Sequence, residues 1–165
     1  MMDFHPAISS WFERRFGDPT EPKKQGWPAI WAGENVLIGA PTRSGKTLTA
    51  FLCAIDRLVK KGAFEALPDQ TLILYISPLK ALANDIQKNL LEPLSEIQQE
   101  GKDLNFNLPD IHPMVRTGDT LPRERRRMGQ RPPHILVTTP RIRFHSPDQR
   151  GRQTDTEGRA YRHCR

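Results

Sequence analysis

The stretch IGAPTRSGKTLTAF, residues 38–51, determines how the rest of the chain is interpreted. It places a loop ending in GKT, residues 45–47, between a short apolar run and a long amphipathic segment. At a strand-to-helix turn of this kind, consecutive backbone N–H groups and the helix N-terminus form an anion site. The general pattern is G-x-x-x-x-G-K-[ST], with Ala40 here in the place of the first glycine. The stretch therefore predicts a phosphate-binding loop.

Two residues of this loop carry the chemistry expected at a bound nucleoside triphosphate, and they are our catalytic candidates. Lys46 would reach the β- and γ-phosphates of ATP. The hydroxyl of Thr47 would bind Mg²⁺, which makes it the metal-binding candidate. A chance GKT in an ordinary strand-to-helix turn is the alternative, and the apolar run before the loop and the helix after it argue against it.

Arg43 is the unusual residue of the loop, because glycine is common at its position. If its backbone must adopt a positive φ, a residue other than glycine costs roughly 1–3 kcal/mol. Strain that appears only on binding lowers affinity by roughly five- to 150-fold. A guanidinium beside phosphates offsets part of that loss. We therefore expect weakened nucleotide binding, not its abolition.

Four β-rich or apolar runs alternate with helical patterns over the first 140 residues. The runs are residues 36–38, 71–76, 111–116 and 134–138. Strands that alternate with helices indicate a mainly parallel sheet flanked by helices, and so an α/β fold. The domain is expected to span residues 1–140, with a basic, disordered tail over residues 141–165.

The helical patterns have identifiable ends. The first has its apolar stripe at residues 8–16 and stops at Gly17, and a second lies around residues 25–31. The long helix after the loop should close at Gly62. Another helix starts near Ser77 and Pro78, and Pro93 should kink or end it. The basic segment LPRERRRM is expected to form a short helix.

The charge of the chain is concentrated in its last 25 residues. The whole chain carries a net charge of +6, and residues 141–165 contain seven arginines and no Leu or Val. A segment with so few apolar residues can bury little surface, which indicates disorder. Most of the basic character therefore lies outside the expected domain, which weakens composition as an argument for nucleic-acid binding.

Two cysteines, Cys53 and Cys164, lie far apart in the chain and match no metal-binding spacing. This favours a reducing, cytoplasmic location. No apolar run reaches the roughly 18 residues of a membrane span, and the N-terminus lacks the pattern of a secretory signal.

Four blocks in order make the chain resemble the superfamily 2 DEAD/DEAH-box ATP-dependent helicases, in particular their large helicase-related group. The blocks are FGDPTEPKKQGWPAIWAG, APTRSGKTLTAFL, YISPLKALANDI, and VRTGDT followed by HILVTTP. The resemblance implies a RecA-like P-loop domain that binds ATP and grips one nucleic-acid strand. It also implies that Thr42, Ser44, Gly45, Lys46 and Thr47 form the phosphate loop.

The resemblance also implies two contacts to the adenine base. The family has a base-reading glutamine three residues after the threonine of its Pro-Thr dipeptide, and that position here is Lys23. A lysine has no acceptor for the amino group of adenine. Gln25 lies two residues later and could substitute only if the turn shifts. Phe4 stands near the place of an adenine-packing aromatic, although a core position is at least as good an interpretation.

Three blocks of the family contact the nucleic-acid backbone, and all three have counterparts here. Pro78 and Lys80 match the first, and Thr117 with Gly118 matches the second. Thr139 matches the third. The basic segment 123–127 fits a solvated helix face as well as a binding patch.

The chain departs from the family after residue 140, where an arginine-rich segment replaces the usual acidic residue and apolar helix. This suggests a change of reading frame or a premature end. The chain also contains no Asp-Glu dipeptide, and so lacks the family's D-E-x-x box. We also expect the second RecA-like domain of the family to be missing. We therefore expect an ATP- and nucleic-acid-binding, N-terminal helicase fragment that cannot unwind alone. The alternative is a non-catalytic protein that binds nucleic acid through its basic tail.

Overall fold

A computed structural model of the chain describes residues 3–41, 45–77 and 86–140. Its helices are α1 (Pro6–Phe16), α2 (Glu21–Trp31), α3 (Lys46–Phe64), α4 (Glu92–Asp103) and α5 (Pro122–Gln130). Its strands are β1 (Ile73–Ile76), β2 (Pro113–Arg116) and β3 (Ile135–Thr138). No helix among these residues is long and apolar enough to cross a membrane.

The three strands form one parallel sheet in the order β1-β3-β2. The central strand β3, ILVT, is buried at every position, as expected for a strand with neighbours on both sides. The register pairs Ile76 with Thr138 and Thr138 with Arg116. The three strands therefore end at the same level, and the loops that follow start side by side.

Aromatic and aliphatic side chains from α1, α2, α3 and the sheet form one core. Trp27 is central to it, since its ring meets those of Phe4 and Phe12 edge-on at 4.9 and 5.3 Å. Its indole N–H also donates to the carbonyl oxygen of Thr49 at 3.3 Å. These contacts fix α2 against the first turn of α3, where the predicted phosphate loop ends at Gly45.

Pro93 does not end its helix. A π-helical turn, Gln87–Leu91, leads directly into α4, and Pro93 lies within the first turn of α4. Proline removes one helical hydrogen bond, and the π-turn directly before it, in which the N–H of Glu92 donates to the carbonyl oxygen of Gln87, is where the helix departs from the α pattern. The start of this helix, expected at Ser77 and Pro78, falls partly outside the described residues.

The prediction of a first strand at residues 36–38 is wrong. Val36, Leu37 and Ile38 form no strand and pair with none of β1, β2 or β3. Leu37 is 98% exposed and Val36 is 38% exposed, while the side chain of Ile38 packs beside Gly26. Three apolar residues cannot form a strand without a neighbour, because a strand is stabilised by its ladder hydrogen bonds and cross-strand contacts.

Gly62 also differs from its predicted role. It lies inside α3, which continues to Phe64, so it does not close the helix. A Cβ built on Gly62 would lie 2.4 Å from Cβ of Pro109. The glycine is required by close packing against the segment before β2, and not by the geometry of a helix end.

Candidate functional site

The phosphate loop has the geometry expected at its end. Gly45 is the N-cap of α3 and has a φ of 83° in the left-handed region, which glycine adopts without steric penalty. Its carbonyl accepts the N–H of Thr49 at 2.9 Å and the hydroxyl of the same residue at 2.9 Å. The first turn of α3 is thereby closed, and its free N–H groups are directed towards the loop.

Lys46 extends back across the loop. Its Nζ donates to the carbonyl oxygen of Pro41 at 2.7 Å and to that of Ala40. Both partners are neutral main-chain acceptors, and among the described residues no carboxylate pairs with the ammonium that a phosphate would have to displace. Thr47 is half-buried in the first turn of α3, next to Lys46. Thr42, Arg43 and Ser44 lie outside the described residues.

The two candidates for base recognition occupy different environments on α2. Gln25 is exposed and lines a cleft of about 430 Å³ between α2 and residues 36–39. Lys23 is 5% exposed, and its Nζ lies at the phosphate loop instead. A Cβ built on Gly45 would be only 2.9 Å from that Nζ. Gln25 is therefore the residue of the pair that faces open space.

Phe4 lies in the core, where its ring is buried against Trp27. This is the alternative environment expected for it, and its role at adenine stays a prediction. The other residues of the cleft were not singled out from the sequence. The sequence feature that points to these cleft residues is the glycine at position 26, inside α2. The structure shows why it matters, because a Cβ built on Gly26 would lie 3.2 Å from Cδ1 of Ile38.

The candidate nucleic-acid residues follow the aligned strand ends. Thr117 comes directly after β2, Thr139 directly after β3, and Ser77 directly after β1. The N–H of Ser77 donates to the carbonyl oxygen of Thr138 at 3.0 Å, so pairing continues to the edge. Three blocks that are distant in the sequence thus begin side by side at the carboxyl ends of the strands. Pro78 and Lys80 lie outside the described residues.

The turn that contains Gly118 is held by an arginine that sequence reasoning did not single out by itself. Arg125 of α5 donates from Nε to the carbonyl oxygen of Thr120 and from a terminal nitrogen to that of Gly118, each at 2.9 Å. The hydroxyl of Thr120 accepts the N–H of Thr117 at 2.7 Å. The turn is therefore fixed, while Gly118 is exposed with open space around its Cα.

Comparison with known proteins gives consistent matches. The chain is 48% identical over 133 residues to the ATP-dependent helicase Lhr-Core protein 2 of Thermococcus barophilus, covering 81% of this chain and 15% of that protein. It is 43% identical over 155 residues to the Lhr helicase/uracil glycosylase of Escherichia coli, covering 92% of this chain and 10% of that protein. The chain thus spans a small part of these relatives.

A solved structure agrees with these matches. The structure of the Mycobacterium smegmatis helicase Lhr bound to ssDNA and AMP-PNP superposes with a TM-score of 0.73 at 46% identity, covering 83% of this chain and 17% of that one. The predicted α/β fold with a parallel sheet flanked by helices is confirmed by this likeness. A family model of the DEAD/DEAH box helicases matches residues 20–158. The chain therefore belongs to the DEAD/DEAH box helicase family.

Proposed function

We propose that this chain is the ATP-binding and nucleic-acid-binding N-terminal part of an ATP-dependent helicase of the Lhr type. The observation that carries the proposal is the arrangement of Gly45 and Lys46 at the N-terminus of α3, with the ammonium on neutral carbonyls. A triphosphate that enters this loop would find unpaired N–H groups and a lysine available to it. The likeness to a helicase bound to AMP-PNP, an ATP analogue, supports the same ligand here.

Thr47 is the proposed contact to Mg²⁺. A hydroxyl oxygen is the kind of ligand that Mg²⁺ prefers, and Thr47 would hold the ion directly beside Lys46. When bound, the ion would neutralise charge on the phosphates. The residues that this chain supplies around it would orient the nucleotide, with Thr42, Arg43 and Ser44 as further cofactor contacts and Gln25 facing the cleft.

The proposed nucleic-acid contacts lie at the shared edge of the three strands. Thr117, Gly118 and Thr139 are the proposed contacts to a phosphate backbone, and Pro78 and Lys80 are the further contacts expected from the sequence. Exposed backbone at Gly118 suits close approach of a phosphate, since no side chain intervenes. One relative is bound to ssDNA. A choice between DNA and RNA is an outcome of the test below.

We further propose that the chain by itself does not unwind a duplex, and that it acts in the cytoplasm. It has no Asp-Glu dipeptide to hold Mg²⁺ and polarise water in the manner of the family.

The test measures ATP binding by equilibrium dialysis with the chain and with Lys46→Ala. Lys61→Ala is the matched control, because Lys61 is a lysine on the same helix that pairs with Glu65 at 3.0 Å, far from the loop. We expect Lys46→Ala to lower the affinity about ten-fold or more, as expected when a charge-assisted hydrogen bond is removed. Equal affinities of the chain and Lys46→Ala would overturn the proposal.

Nucleic-acid binding is measured in parallel with single-stranded DNA and RNA of the same sequence. The double variant Thr117→Val/Thr139→Val should weaken binding to the preferred strand, while deletion of residues 141–165 should leave sequence-independent binding largely in place. If the deletion abolishes binding and the double variant has no effect, the tail is the binding element and the alternative function is correct.

A further inference from the structure

Lys23 is a buried cation with too few partners. Its side chain is 5% exposed, and its hydrogen bond goes to the hydroxyl of Thr20 at a long 3.3 Å. An ammonium has three donors. Among residues 3–41, 45–77 and 86–140, no carboxylate forms an ion pair with it. Burial lowers the pKa of Lys23, as expected when a charge loses water without gaining a counter-ion.

The rings of Phe12 and Phe16 give this ammonium a partial substitute for water. Its Nζ lies 5.8 and 5.9 Å from their centroids, near the limit of a cation–π contact. Contacts at this distance do not satisfy the remaining N–H groups. Burial of the charged Lys23 side chain therefore costs free energy of folding, and the fold alone does not account for the charge.

The side chain of Lys23 is directed towards the N-terminus of α3. Nζ lies against the main chain of Gly45, 2.9 Å from the point where a Cβ would be. Gly45 is the N-cap of α3, and the positive end of the helix dipole lies there. Lys46, the first residue of α3, adds a second ammonium next to this N-cap. Two ammonium groups and the positive end of a helix dipole thus lie around Gly45, and within the described part of the chain neither lysine forms an ion pair.

We infer that Lys23 is a second phosphate-binding lysine of this site, which contacts the phosphate chain of a bound nucleotide and makes its affinity depend on phosphates more than on the base. This inference rests on the proposed nucleotide function. A phosphate oxygen at the N-terminus of α3 would accept the free N–H groups of Lys23 and remove the repulsion between the positive groups. Because Lys23 contributes no acceptor, the contact is indifferent to the identity of the base.

The test uses Lys23→Met, which keeps the length and apolar body of the side chain and removes the charge. Binding of labelled ATP is measured by equilibrium dialysis, with inorganic triphosphate as competitor. We expect Lys23→Met to lower the affinity for ATP and for triphosphate by the same factor, about ten-fold. Lys24→Met is the matched control: it removes the same charge one residue away, where Lys24 is exposed and pairs with Glu21 at 3.2 Å. It should change neither affinity.

A second readout separates this role from a structural one. The denaturant midpoint of the nucleotide-free chain should rise in Lys23→Met, since an unpaired buried charge is removed. A merely structural lysine would give the opposite shift. Unchanged binding of ATP and triphosphate in Lys23→Met, or loss of ATP binding without loss of triphosphate binding, would overturn the inference. If Lys46→Ala has no effect either, the proposed function itself fails. If Lys46→Ala weakens binding and Lys23→Met does not, only this inference fails.

Discussion

At the scale of single residues, the buried acid Asp56 shows how local charge is balanced. It is 0% exposed and accepts the N–H of His5 at 2.6 Å, so it holds the start of α1 against α3. Its second oxygen lies 3.2 Å from Nζ of Lys60, in an ion pair without hydrogen-bond geometry. Burial raises the pKa of Asp56, and the bond from His5 and the charge of Lys60 oppose that rise.

This pKa shift predicts a pH dependence of stability. A carboxyl whose pKa is raised by folding binds its proton more tightly in the folded state, so its contribution to stability is lost as pH rises. The loss begins near its ordinary value of 3.8 and ends above the raised pKa. We expect the free energy of unfolding of the chain, relative to that of Asp56→Asn, to fall across this window.

Urea denaturation of both proteins at several pH values measures this difference. A carbon-13 NMR titration of the Asp56 carboxyl provides the folded-state pKa as an independent control. A difference between the two proteins that stays constant or grows with rising pH would contradict the prediction.

At the scale of elements, glycines inside helices are packing features here. The segment before β2 crosses α3 at Gly62 and α4 at Gly101. Built Cβ atoms there would lie 2.4 Å from Pro109 and 2.6 Å from Cδ1 of Leu108. The proline ring cannot move aside as a leucine side chain can. The pattern predicted α3 itself but not its length, because nothing in the local sequence shows that residue 109 will contact residue 62.

Gly62→Ala tests this packing. Alanine favours a helix over glycine by about 1 kcal/mol, while overpacking costs about 1–3 kcal/mol. Because the contact is with a rigid ring, we expect the free energy of unfolding to fall by about 1 kcal/mol or more. Gly129→Ala is the control, since Gly129 lies in α5 with no atom within 4 Å of a built Cβ. It should raise stability by up to about 1 kcal/mol, as measured by urea denaturation. Equal effects of the two substitutions would contradict the packing argument.

The strand predicted at residues 36–38 did not form, and the reason is physical. Helix periodicity and caps are local, so α1 with its stop at Gly17 could be predicted from the sequence. A strand depends on a partner, and residues 36–38 have none among β1, β2 and β3. A phosphate loop could be proposed from the sequence because its residues are contiguous, whereas the position of Lys23 beside Gly45 could not, since it depends on how α2 packs.

At the scale of the whole molecule, the sheet formed by the described residues has open edges at β1 and β2 and an exposed apolar surface. Leu74 and Ile76 are 49% and 52% exposed, and alternation along β1 puts them on the same face. Exposed apolar edge strands promote association between chains. The sequence predicted the strand but not this exposure, which depends on what covers the face.

The double variant Leu74→Lys/Ile76→Lys tests this liability. We expect less self-association in sedimentation velocity and little change in thermal stability, because both side chains are half-exposed. The variant Gln70→Lys/Gln130→Lys adds the same charge at exposed polar positions and controls for net charge. Equal improvement in both variants would mean that charge, and not the apolar face, sets solubility.

The aligned carboxyl ends of the three strands also fix the spacing of the loops that follow them. Neighbouring strands are about 4.8 Å apart, so the pitch of the sheet sets the distance between the loops that begin at Ser77, Thr139 and Thr117. A one-residue slip of β3 would lift its loop by about 3.3 Å relative to the other two and turn its side chains to the opposite face. Substitutions at buried positions of β3, which contact no ligand, would therefore move its loop out of line with the loops after β1 and β2.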